Sequence, residues 1–138
     1  MTTPPVLVTS RVFYAHPASV ADARHWMVAS LNTAGIAVPE ERRAAAVLLC
    51  SEATTNAVLH TTDTTWFRVF LHAYPGRIAV QVEDTGGPTR PTLMTAAPTD
   101  EHGRGLGLID HLADEWGPRP TGPGIYYVIT WSTQEVYA

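Results

Sequence analysis

The sequence predicts an α+β protein, a two-layer α/β sandwich whose helices cover one face of a mixed, mainly antiparallel sheet. Two helical patterns follow a first strand pattern, two adjoining strand patterns come next, and a further strand pattern lies near the end of the chain. The length of 138 residues and a 45% hydrophobic content suit one domain with a real core. We therefore expect a single domain over residues 1–138.

The first strand and helix are predicted from the N-terminal third. Residues 6–14 are rich in β-branched and aromatic side chains and predict a strand. Ser19 and Asp22 resemble a capping box, and Gly35 supplies a C-cap, so the first helix is expected between them. Apolar residues repeat at helical spacing in this stretch, namely Val20, Ala23, Met27, Leu31 and Ala34.

A second helix is predicted from Pro39 to about His60. Pro39 and the two glutamates after it are favourable at a helix N-terminus. Residues 44–50 are apolar nearly all round, which indicates a largely buried helix. Polar residues that follow on this helix, Glu52 and Asn56, then need protein partners or a ligand.

Residues 65–74 and 77–84 read as two strands joined by a tight turn at Pro75 and Gly76. In the second strand the apolar residues alternate with polar ones, and Asp84 continues the apolar row. A carboxylate on the covered face needs a polar partner.

The remaining third is more irregular. Residues 85–102 are rich in Gly, Pro and Thr and lack periodicity, so we interpret them as a lid loop. Residues 106–116 predict a short helix, residues 117–124 a turn region, and residues 125–131 the final strand. The helix is expected to turn Leu108, Ile109, Leu112 and Ala113 inward.

Composition excludes several function classes. The net charge is −4 and no basic run occurs, which argues against direct binding to nucleic acid or to an anionic membrane. All nine basic residues are arginines, so a Walker A loop, a eukaryotic-type kinase site and a Schiff-base site all lack their lysine. The lone Cys50 is expected to be a small buried hydrophobe without a catalytic role. No signal-peptide pattern or membrane-length apolar run is present, so we expect a cytoplasmic protein.

Three short segments together favour a nucleotide site. Glu52 and Asn56 lie four residues apart, about 6 Å along one helix face. Asp84 ends a strand and is followed by Gly86 and Gly87, where the main chain can approach a flat ligand. Residues 103–107 form a glycine-rich loop that opens a helix, where backbone N–H groups favour phosphate.

Each segment also has a plainer interpretation. Glu52 and Asn56 could be polar residues on a solvated helix face, Asp84 could belong to an ordinary turn, and residues 103–107 could be a common loop. Their occurrence in this order, each on the element its chemistry requires, favours the nucleotide site.

These motifs resemble the GHKL ATPase superfamily. The short chain is most similar to histidine-kinase-like ATP-binding proteins of the anti-sigma-factor serine kinase type, over nearly its whole length. Residues 51–57 resemble the N box, residues 83–86 the first glycine box, and residues 102–109 with 113–117 the second. The resemblance implies a Bergerat-type ATPase fold with ATP and Mg²⁺ as cofactors.

The resemblance also implies roles for individual residues. Asn56 would hold the Mg²⁺ that bridges the phosphates, and Glu52 would be the general base. Asp84 would accept a hydrogen bond from the adenine amine, with Gly86 allowing close approach of the base. The phosphates would be bound by Gly103, Arg104, Gly105, Leu106 and Gly107. Many relatives place a Thr soon after the glycine that opens the last strand, whereas here Ile125 and Tyr126 follow Gly124.

The function implied is an ATP-dependent protein serine/threonine kinase that regulates transcription. It would bind a sigma factor in one state and phosphorylate an anti-sigma-antagonist protein in another, with a homodimer formed through the first strand and helix. Two alternatives remain open, a catalytically weak nucleotide-gated adaptor that sequesters a partner, and an interaction module that has lost nucleotide. The presence of both Glu52 and Asn56 favours the kinase.

Overall fold

The computed structural model describes residues 4–59, 66–84 and 111–133. In chain order the elements are β1 (Leu7–Tyr14), α1 (Ala18–Ala34), α2 (Glu40–Leu59), β2 (Trp66–Tyr74), β3 (Arg77–Asp84), β4 (Glu115–Pro118) and β5 (Gly124–Thr130). The strands form one sheet in the order β1-β2-β3-β5-β4. Every neighbouring pair is antiparallel, so over the described residues the sheet is antiparallel rather than mixed.

Two layers form because both helices pack on the same face of the sheet. α1 contacts β1 and β2, while α2 contacts β2, β3 and β5. Alternate residues of the strands point towards the helices, and those of β2 and β3 are almost entirely apolar and buried. This row includes Val69, Leu71, Val80 and Val82, each at most 1% exposed. The predicted α+β two-layer fold is confirmed.

The start of α1 differs from the prediction. The helix begins at Ala18, and no side chain caps it from the N-cap position, Pro17. Pro17 already has helical backbone angles, so the helix starts before Ser19 and the predicted capping box of Ser19 and Asp22 is wrong. Instead, the Ala18 amide donates a 3.1 Å hydrogen bond to Nδ1 of His16.

The predicted end of α1 is confirmed. Gly35 has a φ of 68° in the left-handed region and its amide donates to the carbonyl of Asn32 at 3.2 Å. A glycine adopts this conformation without the strain that a Cβ would add.

The predicted helix over residues 106–116 is wrong in its C-terminal part. His111 and Leu112 are helical, but residues 115–118, for which the sequence predicts helix and turn, form β4 and pair with β5. The carboxylate of Asp114 accepts bonds from the Thr130 amide at 2.7 Å and from Arg42 at 2.5 Å, which directs the chain into the sheet. Leu112 packs against the core as expected.

Several predicted features fall on residues outside the described ranges. They are the lid at 85–102, Leu108 and Ile109. In the part of the chain that the structure describes, neither helix combines the length and the apolar character needed to cross a membrane.

Candidate functional site

The helix α2 positions two of the predicted site residues. Its first turn carries Glu40 and Glu41, and the Pro39 carbonyl accepts bonds from the amides that follow. The side of α2 that faces the sheet is lined mainly by small and aliphatic residues. Asn56 lies on this side, 1% exposed, seven residues or about two turns beyond the buried Leu49.

The carboxamide of Asn56 is unusual because it is buried without a hydrogen-bond partner in the described part of the chain. Both its Oδ1 and its Nδ2 are buried, and neither has a hydrogen-bond partner among the described residues. Burying an unpaired amide is unfavourable by roughly 1–3 kcal/mol on the scale of protein mutations. A bound ligand with both a hard cation and oxygen acceptors fits this group, since the carboxamide offers one oxygen ligand and two N–H donors.

Glu52 lies one helical turn before Asn56. It is half-buried, at the border between the covered side of α2 and solvent, and its side chain interacts within the protein. The spacing places the two side chains on neighbouring positions of one helix surface.

Asp84 is the last residue of β3. The burial of β3 alternates strictly, and Asp84 falls in the inward row at 4% exposed, as predicted. It pairs across the sheet with Phe67, which is fully buried. α2 packs on β3, so the amide of Asn56 and the carboxylate of Asp84 belong to the same interior layer.

The strand next to Asp84 begins at a position that requires glycine. Gly124 pairs with Glu83 and has a φ of 126°, and a Cβ there would lie 2.0 Å from the Val82 carbonyl oxygen. The main chains of β3 and β5 therefore approach closely beside Asp84.

A model of the histidine kinase-like ATPase domain matches residues 13–125. The chain belongs to the histidine kinase-like ATPase domain family. The match includes Glu52, Asn56 and Asp84, and membership implies ATP binding. A comparison with curated proteins found no match.

In this ATPase domain the two residues after Gly124 point to opposite faces of the sheet. Ile125 faces inward, pairs with Val82 and is 5% exposed. Tyr126 faces outward, and its hydroxyl donates to Glu115 at 3.2 Å. The Tyr126 hydroxyl thus lies on the other side of the sheet from Asp84, and an apolar side chain occupies the inward position beside it.

One residue of the ATPase domain that was not predicted from the sequence anchors α2 to the sheet. Tyr127 is fully buried, and its hydroxyl donates a 2.9 Å hydrogen bond to the Ala46 carbonyl on α2. Burial raises the pKa of this phenol well above its usual value, so the hydroxyl keeps its proton. The sequence did contain a signal for the burial of Tyr127, because Ile125, Tyr127 and Ile129 occupy every second position of the final strand and therefore share one face.

Cys50 is buried in the ATPase domain, as expected. Burial raises the pKa of its thiol to about 12, so the reactive thiolate is suppressed at neutral pH.

The structure thus places Asn56 and Asp84 in the interior between α2 and β3 of the ATPase domain, with Glu52 at the border of this interior with solvent. The other predicted site residues lie outside the described residues. They are Gly86, Gly103, Arg104, Gly105, Leu106 and Gly107.

Proposed function

We propose that this chain is an ATP-dependent regulatory protein serine/threonine kinase of the anti-sigma-factor type. It phosphorylates an anti-sigma-antagonist protein in one state and binds a sigma factor in another. The observation that carries the proposal is the buried carboxamide of Asn56, which lacks a partner among the described residues. A buried polar group without a partner needs an explanation, and a bound ion or ligand supplies one.

Mg²⁺ and the phosphates of ATP are the ligands that suit Asn56. Its Oδ1 is an oxygen ligand of the kind that Mg²⁺ prefers while keeping several waters. The Nδ2 can donate to a phosphate oxygen. When bound, Mg²⁺ supplies charge that neutralises the phosphates.

Glu52, Asp84 and Arg104 have the remaining roles in the proposed site. The half-buried Glu52 accepts the proton of the attacking serine or threonine hydroxyl, since it lies one turn from the metal ligand and does not itself hold the metal. Asp84 accepts a hydrogen bond from the exocyclic amine of adenine, which selects ATP over GTP. Arg104 opposes the negative charge at the γ-phosphoryl group.

The proposal includes a homodimer through β1 and α1. β1 is an edge strand of the sheet, and one of its sides pairs with no other described strand. Sedimentation velocity tests this part, and a monomer at all concentrations would contradict it.

The variant Glu52→Gln tests whether the protein transfers phosphate with Glu52 as the general base. The purified protein is incubated with Mg-ATP and the antagonist-like proteins encoded near it, and intact masses report phosphate transfer. We expect Glu52→Gln to keep ATP affinity within about threefold while transfer falls ~10²-fold or more. Glu41→Gln, a glutamate in the first turn of the same helix, is the matched control and should transfer at the original rate.

The same experiment distinguishes between two candidate functions, the kinase and the nucleotide-gated adaptor. If the unmodified protein transfers no phosphate to any of these proteins yet binds one of them only with ATP present, the adaptor is correct. If Glu52→Gln transfers at the original rate, Glu52 is not the base.

A further inference from the structure

The face of the sheet turned away from both helices carries an unusual set of side chains. The outward row of β2 contains Trp66, Phe70 and Tyr74, with Arg68 between the first two. The outward row of β3 begins with Arg77, which pairs with Tyr74. The two described helices pack on the opposite face. We call this set of five side chains the arginine–aromatic face.

The guanidinium groups lie against the rings. Cζ of Arg68 is 5.8 Å from the ring centres of both Trp66 and Phe70, and Cζ of Arg77 is 5.0 Å from that of Tyr74. Such stacking orients the guanidinium plane while its N–H groups remain able to bind a planar anion in a bidentate manner.

The charges of this face are not balanced internally. Glu83 is engaged by Arg119 at 3.1 Å, and the Arg119 side chain is only 8% exposed. Arg68 reaches Glu83 only at 3.8 Å and is 41% exposed. Arg77 is exposed and forms no ion pair with the described residues. A positive patch therefore exists on a chain of net charge −4.

An apolar strip adjoins the arginine–aromatic face. The outward residues of β1 include Val8, Val12 and Tyr14, which are 59%, 47% and 83% exposed. Val12 pairs with Arg68, and Tyr14 pairs with Trp66, so the strip and the aromatic row are neighbours. Exposed apolar side chains beside unbalanced charge are typical of an interaction site.

We propose that the arginine–aromatic face and this strip bind an extended acidic segment of a partner protein. Carboxylates of the segment pair with Arg68 and Arg77, and apolar side chains cover Val8 and Val12. Arg77 lies opposite Tyr74, six residues along β2 from Arg68, which is roughly 20 Å. A segment of about seven residues with an acid near each end spans this distance.

Charge and ring geometry favour this occupant over two others. A single-stranded nucleic acid needs open ring faces and many cations, whereas guanidinium groups already lie on these rings and the face as defined has two arginines. A second copy would bring the same arginines against each other. The surface lies across the sheet from Asn56 and Asp84, so the inference does not rest on the proposed kinase.

The test uses a fluorescent random copolymer of glutamate and tyrosine. Polyglutamate, a lysine–tyrosine copolymer and a 20-mer of single-stranded oligo-dT serve as comparators in fluorescence polarisation. General attraction to a chain of net charge −4 would favour the lysine copolymer. We expect the glutamate–tyrosine copolymer to bind most tightly, and the double variant Arg68→Gln, Arg77→Gln to bind it about tenfold more weakly or worse.

Arg11→Gln is the matched control. Arg11 is an exposed arginine on β1 that pairs with the buried Val69, so it lies on the helix side of the sheet, and its loss should change binding less than about twofold. Arg77→Glu alone, at an exposed position, should also weaken binding, and thermal melting shows that each variant is folded.

Other results would overturn the proposal. For the unmodified protein, these results are no binding of the glutamate–tyrosine copolymer, equally tight binding of polyglutamate, or tighter binding of oligo-dT or the lysine copolymer. For the variants, they are equal losses of copolymer binding in Arg11→Gln and the double variant, or a change of oligomeric mass in the double variant.

Discussion

The hydroxyl of Tyr127 on β5 donates a 2.9 Å hydrogen bond to the carbonyl of Ala46 on α2. Ala46 lies ten residues before Asn56, about 15 Å along the helix. β5 is an interior strand, so this bond joins the helix to the most buried part of the sheet. This bond therefore holds the N-terminal half of α2, the helix that carries Asn56, against β5.

Tyr127→Phe is expected to lower the free energy of unfolding by roughly 1 kcal/mol, because one buried hydrogen bond is lost while the Ala46 carbonyl keeps its helical partner. Urea unfolding measures this loss of free energy. Tyr126→Phe removes a hydroxyl on the outward face and should change stability by less than about 0.5 kcal/mol. Equal losses in the two variants would show that the bond to Ala46 does not stabilise the packing of α2.

Asn56→Leu is expected to separate stability from binding. Leucine has the same number and branching of side-chain heavy atoms and no unpaired polar atoms, so without ligand the variant should melt at the same temperature as the original protein or higher. Mg-ATP at 100 times its Kd should stabilise the original protein by about 2.7 kcal/mol and leave the variant unchanged. A strong loss of stability in the variant without ligand would mean that the amide has a partner in the protein.

Asp84→Asn is expected to weaken ATP binding by roughly 1–3 kcal/mol, the penalty for a mispaired buried polar group. GTP binding, which we expect to be weaker in the original protein, should change little, so the variant should lose selectivity. Calorimetry with both nucleotides measures this, with Glu83→Gln on the outward face as the control. Equal affinity of the original protein for ATP and GTP would refute the adenine contact.

The protein is expected to lose stability at alkaline pH. Burial raises the pKa of Cys50 from 9.0 to about 12, so above pH 9 the unfolded state releases this proton while the folded state retains it. The free energy of unfolding should then fall by roughly 1 kcal/mol per pH unit for this group, and Tyr127 adds to the slope at higher pH.

Urea unfolding between pH 8 and 11 measures the slope. Cys50→Ala should reduce it whatever the stability of the variant at pH 8. An unchanged slope in Cys50→Ala would show that the thiol ionises equally in both states.

Gly124→Ala is expected to destabilise the protein by about 3 kcal/mol or more, because strain at a positive φ combines with a clash against the Val82 carbonyl. Gly35 also has a positive φ but faces open space, so Gly35→Ala should lose only about 1 kcal/mol. Thermal unfolding compares the two, and similar losses would contradict the close approach of β3 and β5.

The fold could be predicted from local patterns where these agree with packing. Alternation along β3 correctly placed Asp84 on the covered face, and the apolar run before Glu52 correctly indicated a buried helix. β4 could not be predicted, because its direction depends on contacts of Asp114 with Arg42 and Thr130, which are distant in sequence.

The candidate site was predictable only in part. The sequence identifies Asn56 as polar on a buried helix, but its lack of a partner depends on every group around it. The contact between Tyr127 and Ala46 likewise requires the packing of α2 on β5. Residues 103–107 remain a prediction, since they lie outside the described ranges.

Glu83 and Asp84 are consecutive residues on opposite faces of one strand. Glu83 interacts with Arg119 and Arg68 on the outward face, and Asp84 lies in the interior layer with Asn56. One peptide unit thus separates the proposed nucleotide site from the proposed docking surface. By thermodynamic linkage, any factor by which a ligand on one surface changes affinity at the other must operate equally in the reverse direction.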